Sequence, residues 1–441
     1  MKTELIPVYF EPGRDENFDK HLNILKELLK EDAVFLEPCA LGTSLPAADA
    51  VIFPQMLGEA YHRIEELKAI SIPIMVVTSE FGTVNMWDWE LVHYLKLNGI
   101  KTICPPSLED TRLVCRALVV RRQMAESKFV VYLDDPAGPT GQQSDIFKRF
   151  YWLEKEASRQ ISEKYGITIE KRSFRDLAAR AREISDGDAQ KVIDSWGSKD
   201  KSSISGRPLL SAVKLYMEVK KEYLKDDNIL SMGLNCLNES GSCDTTPCLA
   251  WNLLYQEEKL VWGCEGDTMA MLTEILADKV LQVPFFMTNL YPFIMEQAAL
   301  AHERIPRFPE VENPDDHMLA AHCGYFGLLP EVFSDRWNLR KRVLAMVNEN
   351  AHVIDATIPT GPVTLAKFQP YLEKISLSEA DLKGYIQYEN SDCRNGGIIQ
   401  VEDGQRFVDK VVSHHYILMS GHQKAAMNLV ADIFDFDLEV I

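Results

Sequence analysis

The sequence predicts an α/β protein: two Rossmann-like α/β domains followed by a C-terminal domain rich in antiparallel β-strands. Short apolar runs alternate with amphipathic helical patterns from the N-terminus, the alternation resumes at Lys128, and closely spaced β-like runs take over after Phe308. Buried strands followed by crossover helices form parallel sheets, whereas closely spaced strands separated by turn residues are typical of an antiparallel sheet or barrel. We expect domains at 1–126, 127–260 and 261–441.

Four strand–helix pairs predict the first domain. LIPVYF precedes HLNILKELLKE, ADAVIF precedes GEAYHRIEELKAI, IPIMVV precedes WDWELVHYLKL, and TICP precedes EDTRLVCRALVVRRQM. Each apolar run has the length of a buried strand, and each stretch that follows it has the apolar spacing of an amphipathic helix.

The second domain is predicted to begin with the strand KFVVYLDD and to continue into a helix near Phe147–Lys164. A strand at ITIEKRSF and a helix-rich, charged stretch follow. The strand NILSMGLN then brings Asn235 to the C-terminal end of a sheet, which is where α/β folds usually place their functional sites.

Short β-like runs predict the antiparallel part: HVIDATIP, GPVTLAKF, GYIQYE, GGIIQV and FVDKVVS. A helical pattern between two strand-like runs closes the chain and places His414 and His415 at the start of a strand.

Composition narrows the function classes. The chain has 441 residues, 46% apolar and 26% charged, with a net charge of −19, so neither nucleic acid nor an anionic membrane is an expected partner. No apolar run approaches the roughly 20 residues of a membrane span. The nine cysteines are scattered and odd in number, which fits reduced thiols. These features predict a soluble cytoplasmic protein.

The stretch from Asn235 to Leu272 holds the strongest candidates for a functional site. Within it, Glu265-Gly266-Asp267 lies between a predicted strand and a predicted helix, so its carboxylates can point into a cleft. Asp267 also stands where a helix N-cap is expected. Carboxylates combined with a neutral imidazole suit Mn²⁺ or Mg²⁺. Candidate ligands are Glu265, Asp267 and one of His322, His414 and His415.

Other kinds of site find less support. No G-x-G-x-x-G follows an early strand, and the chain has no P-loop motif and no G-x-S-x-G nucleophile elbow. Cys236, Cys243, Cys248 and Cys264 lie close together in sequence, but none of their spacings is C-x-x-C. We therefore expect them to be buried thiols rather than zinc ligands.

Several segments of the second half resemble the L-fucose isomerase and L-arabinose isomerase superfamily, particularly its fucose-isomerase-like branch. They are PCLAWNLL, LVWGCEGDTMAMLTEIL, AHCG, GPVTLAKF and SHHYILMSGHQKAAMNLVADIFDFDLEV. The resemblance covers roughly Asn228 to Ile441 and rests on the order and spacing of these segments. Residues 1–227 share only α/β character with that superfamily.

This resemblance implies a metal-dependent aldose–ketose isomerase that acts on a monosaccharide and assembles as a homo-oligomer. It implies a Mn²⁺-type ion held by two carboxylates and a histidine. By motif position, Asp267 corresponds to the second carboxylate and His415 to the histidine, with His414 as a polar contact to the substrate. The first carboxylate of the family falls near Cys248, and cysteine is a poor substitute for it.

The missing oxygen ligand or base is therefore expected from another residue, first from Glu265. Together with Asp267 and His322, Glu265 completes the expected catalytic set. The expected substrate-binding residues are His414, Glu239, Asp244 and Trp89. Trp89 is included because, in that superfamily, the N-terminal domain can lean over the site of a neighbouring subunit.

Three alternatives stay open from the sequence. The chain can be a non-catalytic sugar-binding or sensing protein that kept the scaffold, an isomerase for a sulfonated hexose, or a metal-dependent hydrolase with the same carboxylate and histidine cluster. The residues do not identify the sugar.

Overall fold

The computed structural model describes residues 1–10, 14–55, 60–134, 150–196, 204–236, 242–300, 305–322, 334–341, 350–388, 391 and 396–441. Internal contacts divide the chain into two compact units. The first consists of Met1–Ala125, Lys279–Leu281 and Ala425–Leu438; the second consists of Glu126–Asp278, Gln282–Lys424 and Glu439–Ile441. The finer division into three domains stays a prediction.

A parallel sheet forms the centre of the first unit. Its strands are β1 (Thr3–Tyr9), β2 (Ala33–Phe35), β3 (Cys39–Ala40), β4 (Ala50–Phe53), β5 (Ile74–Val76) and β6 (Thr102–Ile103). They follow the order β2-β1-β4-β5-β6, with β3 paired to β1. β4 and β5 are buried along their whole length, as expected for strands covered on both faces. The helices are Glu16–Leu28, Ile64–Lys68, Trp89–Leu97, Leu108–Ala125 and, from Ala425 onward, Lys424–Phe434; 3₁₀ turns lie at Ala60–His62 and Met86–Asp88.

The second unit begins with another parallel sheet. Its strands are β7 (Lys128–Tyr132), β8 (Thr168–Arg172), β9 (Ile229–Leu234) and β10 (Val261–Cys264), in the order β10-β9-β7-β8. Leu234 pairs with Cys264, so the carboxyl ends of β9 and β10 lie side by side. The helices of this part are Lys155–Tyr165, Phe174–Glu183, Asp186–Ser195, Arg207–Tyr223, Cys248–Glu258 and Thr268–Ile275, with a 3₁₀ turn at Tyr151–Leu153 and a π-helical turn at Leu276–Leu281.

An antiparallel barrel completes the second unit. The remaining strands are β11 (Phe285–Pro292), β12 (His317–Ala321), β13 (Arg336–Lys341), β14 (His352–Thr357), β15 (Gly361–Phe368), β16 (Lys374–Ile386), β17 (Gly396–Gln400), β18 (His415–Ser420) and β19 (Asp437–Val440). Six of them follow the order β15-β18-β11-β12-β17-β16, and β15 also pairs with β16, which closes the ring. Short helices lie at Gln297–Leu300 and Gly404–Lys410, and 3₁₀ turns at Phe293–Met295 and Pro314–Asp316.

The predicted mixed α/β class is confirmed, with parallel sheets followed by an antiparallel C-terminal part. The Rossmann-like character of the parallel parts stays a prediction. No helix in the described ranges is long and apolar enough to cross a membrane.

Two of the predicted barrel strands behave differently from expectation. HVIDATIP supplies β14, which pairs with β13 in a separate two-stranded sheet. The strand predicted at FVDKVVS is wrong, because Gly404–Lys410 is a helix. The Asp403 carboxylate accepts a hydrogen bond from the Arg406 backbone N–H at 2.9 Å, and this N-cap outweighs the β preference of the valines.

Candidate metal centre

The turn Glu265–Asp267 connects β10 to the helix Thr268–Ile275 in the second unit. Asp267 caps this helix: its Oδ1 accepts two backbone N–H groups of the first turn, at 3.1 and 2.9 Å. The predicted N-cap is thereby confirmed. Because the turn follows directly from a buried strand, its side chains are fixed at the end of the sheet.

The backbone of Glu265 is held in a conformation that side chains rarely adopt. Its φ is 55°, in the left-handed region. The Trp152 indole N–H donates to the Glu265 carbonyl at 3.2 Å. Gly266 follows with a φ of 64°, and a Cβ there would lie 2.9 Å from Leu153 and 3.1 Å from Val131. Such strain persists only where the surroundings impose it, and it is commonly found at functional sites.

Glu265 forms a cluster with His414 and His415. One potential ligand atom from each of the three lies within 4.8 Å of the others. Glu265 Oε2 is 3.6 Å from His415 Nε2 and 3.7 Å from His414 Nε2. Glu265 Oε2 and His415 Nε2 are both buried, and neither has a hydrogen-bond partner among the described residues.

The chemistry of this cluster fits a divalent cation. Ligands that share one ion at about 2.0–2.2 Å lie about 3.0–3.6 Å from one another. The separation of Glu265 Oε2 and His415 Nε2 agrees with that spacing. A carboxylate and neutral imidazoles are also donors that such an ion accepts.

Asp267 lies on the other side of His415. His415 Nδ1 donates to Asp267 Oδ2 at 3.0 Å, because a carboxylate can only accept. The buried Lys367 ammonium forms an ion pair with the same oxygen. Asp267 therefore orients His415, in the way that carboxylates support metal-binding histidines elsewhere. Direct ligation of a metal by Asp267 stays a prediction that requires Lys367 to move.

The charges within the cluster alter its protonation. Burial opposes ionisation of Glu265, but His415 and His414 outweigh it and hold the pKa of this carboxyl well below its usual range. Burial also opposes charge on His415, yet Glu265 and Asp267 raise its pKa above the ordinary 6.5. Burial and then His415 lower the pKa of His414. At neutral pH, Glu265 is an anion and His414 is neutral.

Two aromatic side chains cover the histidine pair. Phe150 and Trp152 stack at 4.5 Å between ring centroids. The Trp152 ring is 5.6 Å from that of His415, and the Phe150 ring is 6.1 Å from that of His414. The side chain of His414 is 45% exposed, whereas that of His415 is fully buried. A ligand from solvent would therefore reach His414 first.

Comparisons with known proteins leave the family open. No family model matches the chain, and no curated protein matches it. One similar solved structure is a LacI family transcription regulator from Clostridium acetobutylicum. It is 11% identical, the match covers 62% of this chain and 92% of that chain, and the TM-score is 0.15. A similarity of this size carries no argument, so function is inferred from the site itself.

The remaining predicted site residues lie at different places. His322 is buried near the cluster, with its ring 5.7 Å from that of His415. The Asp244 carboxylate instead binds Arg207 at 2.9 Å and Ser211 at 2.8 Å. Trp89 is 61% exposed at the start of its helix in the first unit. Glu239 lies outside the described residues.

The four cysteines of the region do not converge on one point. Cys236 and Cys264 bring their sulfur atoms to 3.3 Å from each other. Cys248 is fully buried and its thiol lies 3.7 Å from the carbonyl oxygen of His352. Cys243 is buried beside Asp244. The only metal-ligand cluster among the described residues is the Glu265–His414–His415 set.

Sequence reasoning missed Lys367, Phe150 and Trp152. Lys367 could have been noticed, because it is the single charged residue in the otherwise apolar run GPVTLAKF. The two aromatic residues carry no comparable signal. Both fall inside the helix predicted near Phe147–Lys164, where aromatic residues are usually part of the packed core. Over the described part of that range, the chain forms a 3₁₀ turn at Tyr151–Leu153 before the helix begins at Lys155.

Proposed function

We propose that the protein is a metal-dependent aldose–ketose isomerase that acts on a monosaccharide through an ene-diol proton transfer. The main support is the pair of buried atoms Glu265 Oε2 and His415 Nε2, which lie 3.6 Å apart without hydrogen-bond partners in the described structure. The resemblance of the motif order to the L-fucose and L-arabinose isomerase superfamily adds to it. The proposal includes Mn²⁺ as the ion, a cytoplasmic homo-oligomer, and Rossmann-like character for the two parallel sheets.

Glu265 and His415 would hold the cation, with His414 at the accessible side. When bound, a divalent cation polarises adjacent oxygens of an open-chain sugar and makes the neighbouring carbon-bound proton more acidic. Asp267 would keep the His415 ring in place through its hydrogen bond to Nδ1. Glu265, held as an anion by the two histidines, would balance the positive charge.

His414 is the residue of the cluster best suited to move a proton. Its lowered pKa keeps the ring neutral at neutral pH, and its exposed side allows contact with a substrate. In this role, its Nε2 would accept the proton from C2 of the aldose and return it to C1, while the hydroxyl proton passes from O2 to O1. Glu265, 3.7 Å away, would stabilise the ring while it carries the proton. Phe150, which is partly buried, stacks beside His414 and offers an apolar surface to the sugar carbons.

The proposed activity is tested with a panel of aldoses incubated with the protein and Mn²⁺ in D₂O. The panel contains pentoses, hexoses, deoxyhexoses and a sulfonated hexose, and NMR follows ketose formation and deuterium at C1 or C2. We expect both signals with one substrate class. His415→Ala should abolish them, whereas His422→Ala, which changes an exposed histidine of the same unit, should not.

A non-catalytic sugar-binding protein is the second candidate. It is favoured by the contacts of Asp267. Both oxygens of this carboxylate already accept hydrogen bonds, and one also pairs with Lys367, so Asp267 is not available as a base. In that case a sugar binds, but neither ketose nor deuterium incorporation appears with any member of the panel. The same experiment therefore separates the two candidates.

A further inference from the structure

Lys367 is a cation enclosed within the second unit. Its side chain is completely buried in β15, where it pairs with Asp267 and lies 5.4 Å from the centre of the Trp152 ring. Lysine is almost never fully buried without a partner, because removing its charge from water is costly. The positive charge of Lys367 therefore has to be balanced by a negative group nearby, and Asp267 provides it.

The partner of Lys367 is a carboxylate with every acceptor position in use. Asp267 Oδ1 receives the two backbone N–H groups of the helix that it caps. Asp267 Oδ2 receives the Lys367 ammonium and the N–H of His415 Nδ1. The Lys367 ion pair and the helix cap thus hold this carboxylate next to Nδ1 of the His415 ring.

The hydrogen bond from Nδ1 determines what His415 presents to Glu265. A neutral imidazole has one N–H and one lone pair, and the N–H is committed to Asp267. The lone pair is then on Nε2, which faces Glu265 Oε2 at 3.6 Å. The orientation of a candidate metal ligand consequently depends on where Asp267 is held.

A second buried acid does not compete for Lys367. Glu274 is fully buried on the helix that Asp267 caps, and neither of its carboxyl oxygens has a hydrogen-bond partner in the described part of the chain. Burial and then the charge of Asp267 raise its pKa well above the ordinary value, which favours the uncharged form. The ion pair of Lys367 is formed with Asp267.

We propose that Lys367 is a positioning residue for the metal centre: by holding Asp267 Oδ2, it keeps this carboxylate on Nδ1 of His415 and presents His415 Nε2 to the cation. This proposal rests on the proposed metal centre. It differs from direct ligation by Asp267, because it gives Asp267 a supporting role and gives Lys367 the charge that balances it.

The test uses full-length protein with Lys367→Met, which keeps the chain length without the charge, and the double variant Asp267→Asn/Lys367→Met, which removes both charges. Lys374→Met is the matched control, because Lys374 lies in the adjacent strand β16 with a side chain 47% exposed. Three measurements are made on each: thermal unfolding, Mn²⁺ binding followed by EPR of the free ion, and ¹⁵N NMR of the His415 ring without metal. The NMR spectra are recorded at alkaline pH, where the ring is neutral.

We expect Lys367→Met to weaken Mn²⁺ binding about 10- to 100-fold, the usual effect of removing a residue that supports a metal ligand. The His415 spectrum should lose its single Nδ1–H form. The double variant should recover part of the melting temperature, because no buried charge is left uncompensated. It should not recover Mn²⁺ affinity or the Nδ1–H form, because the one Asn oxygen cannot accept both from the helix cap and from Nδ1. Lys374→Met should resemble the unsubstituted protein throughout.

Two results would overturn the proposal. One is a Lys367→Met protein with a lower melting temperature but unchanged Mn²⁺ affinity and His415 spectrum, which would give Lys367 a purely structural role. The other is a double variant with full Mn²⁺ affinity and the Nδ1–H form of His415, because the carboxylate of Asp267 would then not be needed to hold the ring. If the unsubstituted protein itself does not bind Mn²⁺, the metal centre fails, while the His415 spectra still decide whether Lys367 positions the ring. If Lys367→Met does not fold, Lys367→Gln, which removes the charge but keeps a polar side chain, takes its place with the same measurements.

Discussion

Three features of Glu265 each cost free energy of folding. A left-handed backbone at a residue other than glycine costs about 1–2 kcal/mol. Its carboxylate is buried, and one of its oxygens has no hydrogen-bond partner among the described residues. These costs support the proposal that the carboxylate binds a cation together with the two histidines beside it.

Replacing Glu265 by glutamine should weaken the metal centre without changing the shape of the side chain. We expect Glu265→Gln to lower Mn²⁺ affinity at least about 10-fold, because an amide oxygen lacks the charge that attracts a hard cation. EPR titration of free Mn²⁺ measures this. Glu373→Gln, at an exposed position of the same unit, is the control. Equal affinity in both variants would remove Glu265 from the ligand set.

Metal binding should also depend on pH in a direction fixed by His415. Its pKa is raised above 6.5, so the ring stays protonated into the range above that value and lacks a lone pair there. Mn²⁺ affinity should therefore rise as pH rises through and beyond 6.5. Titrations at about pH 6 and about pH 8 test this, with His422→Ala expected to keep the dependence. An affinity that is constant or higher at acid pH would contradict it.

At the scale of elements, the turn between β10 and the helix Thr268–Ile275 decides where the carboxylates point. Its conformation depends on Gly266, on the cap formed by Asp267, and on the indole of Trp152. The Thr268 hydroxyl donates back to the Trp152 carbonyl at 3.0 Å. Hydrogen bonds thus join the 3₁₀ turn at Tyr151–Leu153 to the turn Glu265–Asp267.

Gly266→Ala tests this arrangement. A Cβ at a φ of 64°, placed 2.9 Å from Leu153, should lower the free energy of unfolding by about 1–3 kcal/mol. It should also weaken Mn²⁺ binding by displacing Glu265. Urea unfolding and Mn²⁺ titration measure the two effects. Gly384→Ala is the control, because no atom lies within 4 Å of a Cβ at that position. Similar losses in both variants would show that the turn is not specially constrained.

At the scale of the whole molecule, the chain returns to its first unit near the C-terminus. Residues Ala425–Leu438 belong to that unit by their contacts, although the preceding β18 belongs to the barrel. Met427, Val430 and Phe434 are completely buried on this helix. The first unit therefore includes a helix that follows the barrel strand β18 in the sequence.

Phe434→Ala should consequently destabilise the first unit. Removing a fully buried phenylalanine costs about 3–5 kcal/mol. Hydrogen exchange of the strands β1 and β4 should accelerate, while exchange in the barrel strand β12 should change less. Asn428→Ala, at an exposed position of the same helix, should leave the exchange unchanged. Uniform acceleration across both units would show that they unfold together.

The sequence by itself determined the features that local periodicity encodes. Alternating apolar runs and helical patterns identified most strands of the two parallel sheets, although the short strands β2 and β3 were missed. Closely spaced β-like runs identified part of the barrel. Residue chemistry at a predicted strand end indicated Glu265, and motif order indicated His414 and His415. The strand end and the helix N-cap could be predicted because each is defined by a few neighbouring residues, whereas the roles of Glu265, His414 and His415 stay predictions.

Only the tertiary structure decided how those residues are used. Asp267 meets Lys367 across 100 positions of sequence and His415 across 148. Local patterns contain no information about such pairings, which arise when β15 and β18 close the barrel beside the helix that Asp267 caps. The fold therefore assigns Asp267 to support His415 and leaves Glu265 to face the histidines, a distinction that depends on distances between segments far apart in the chain.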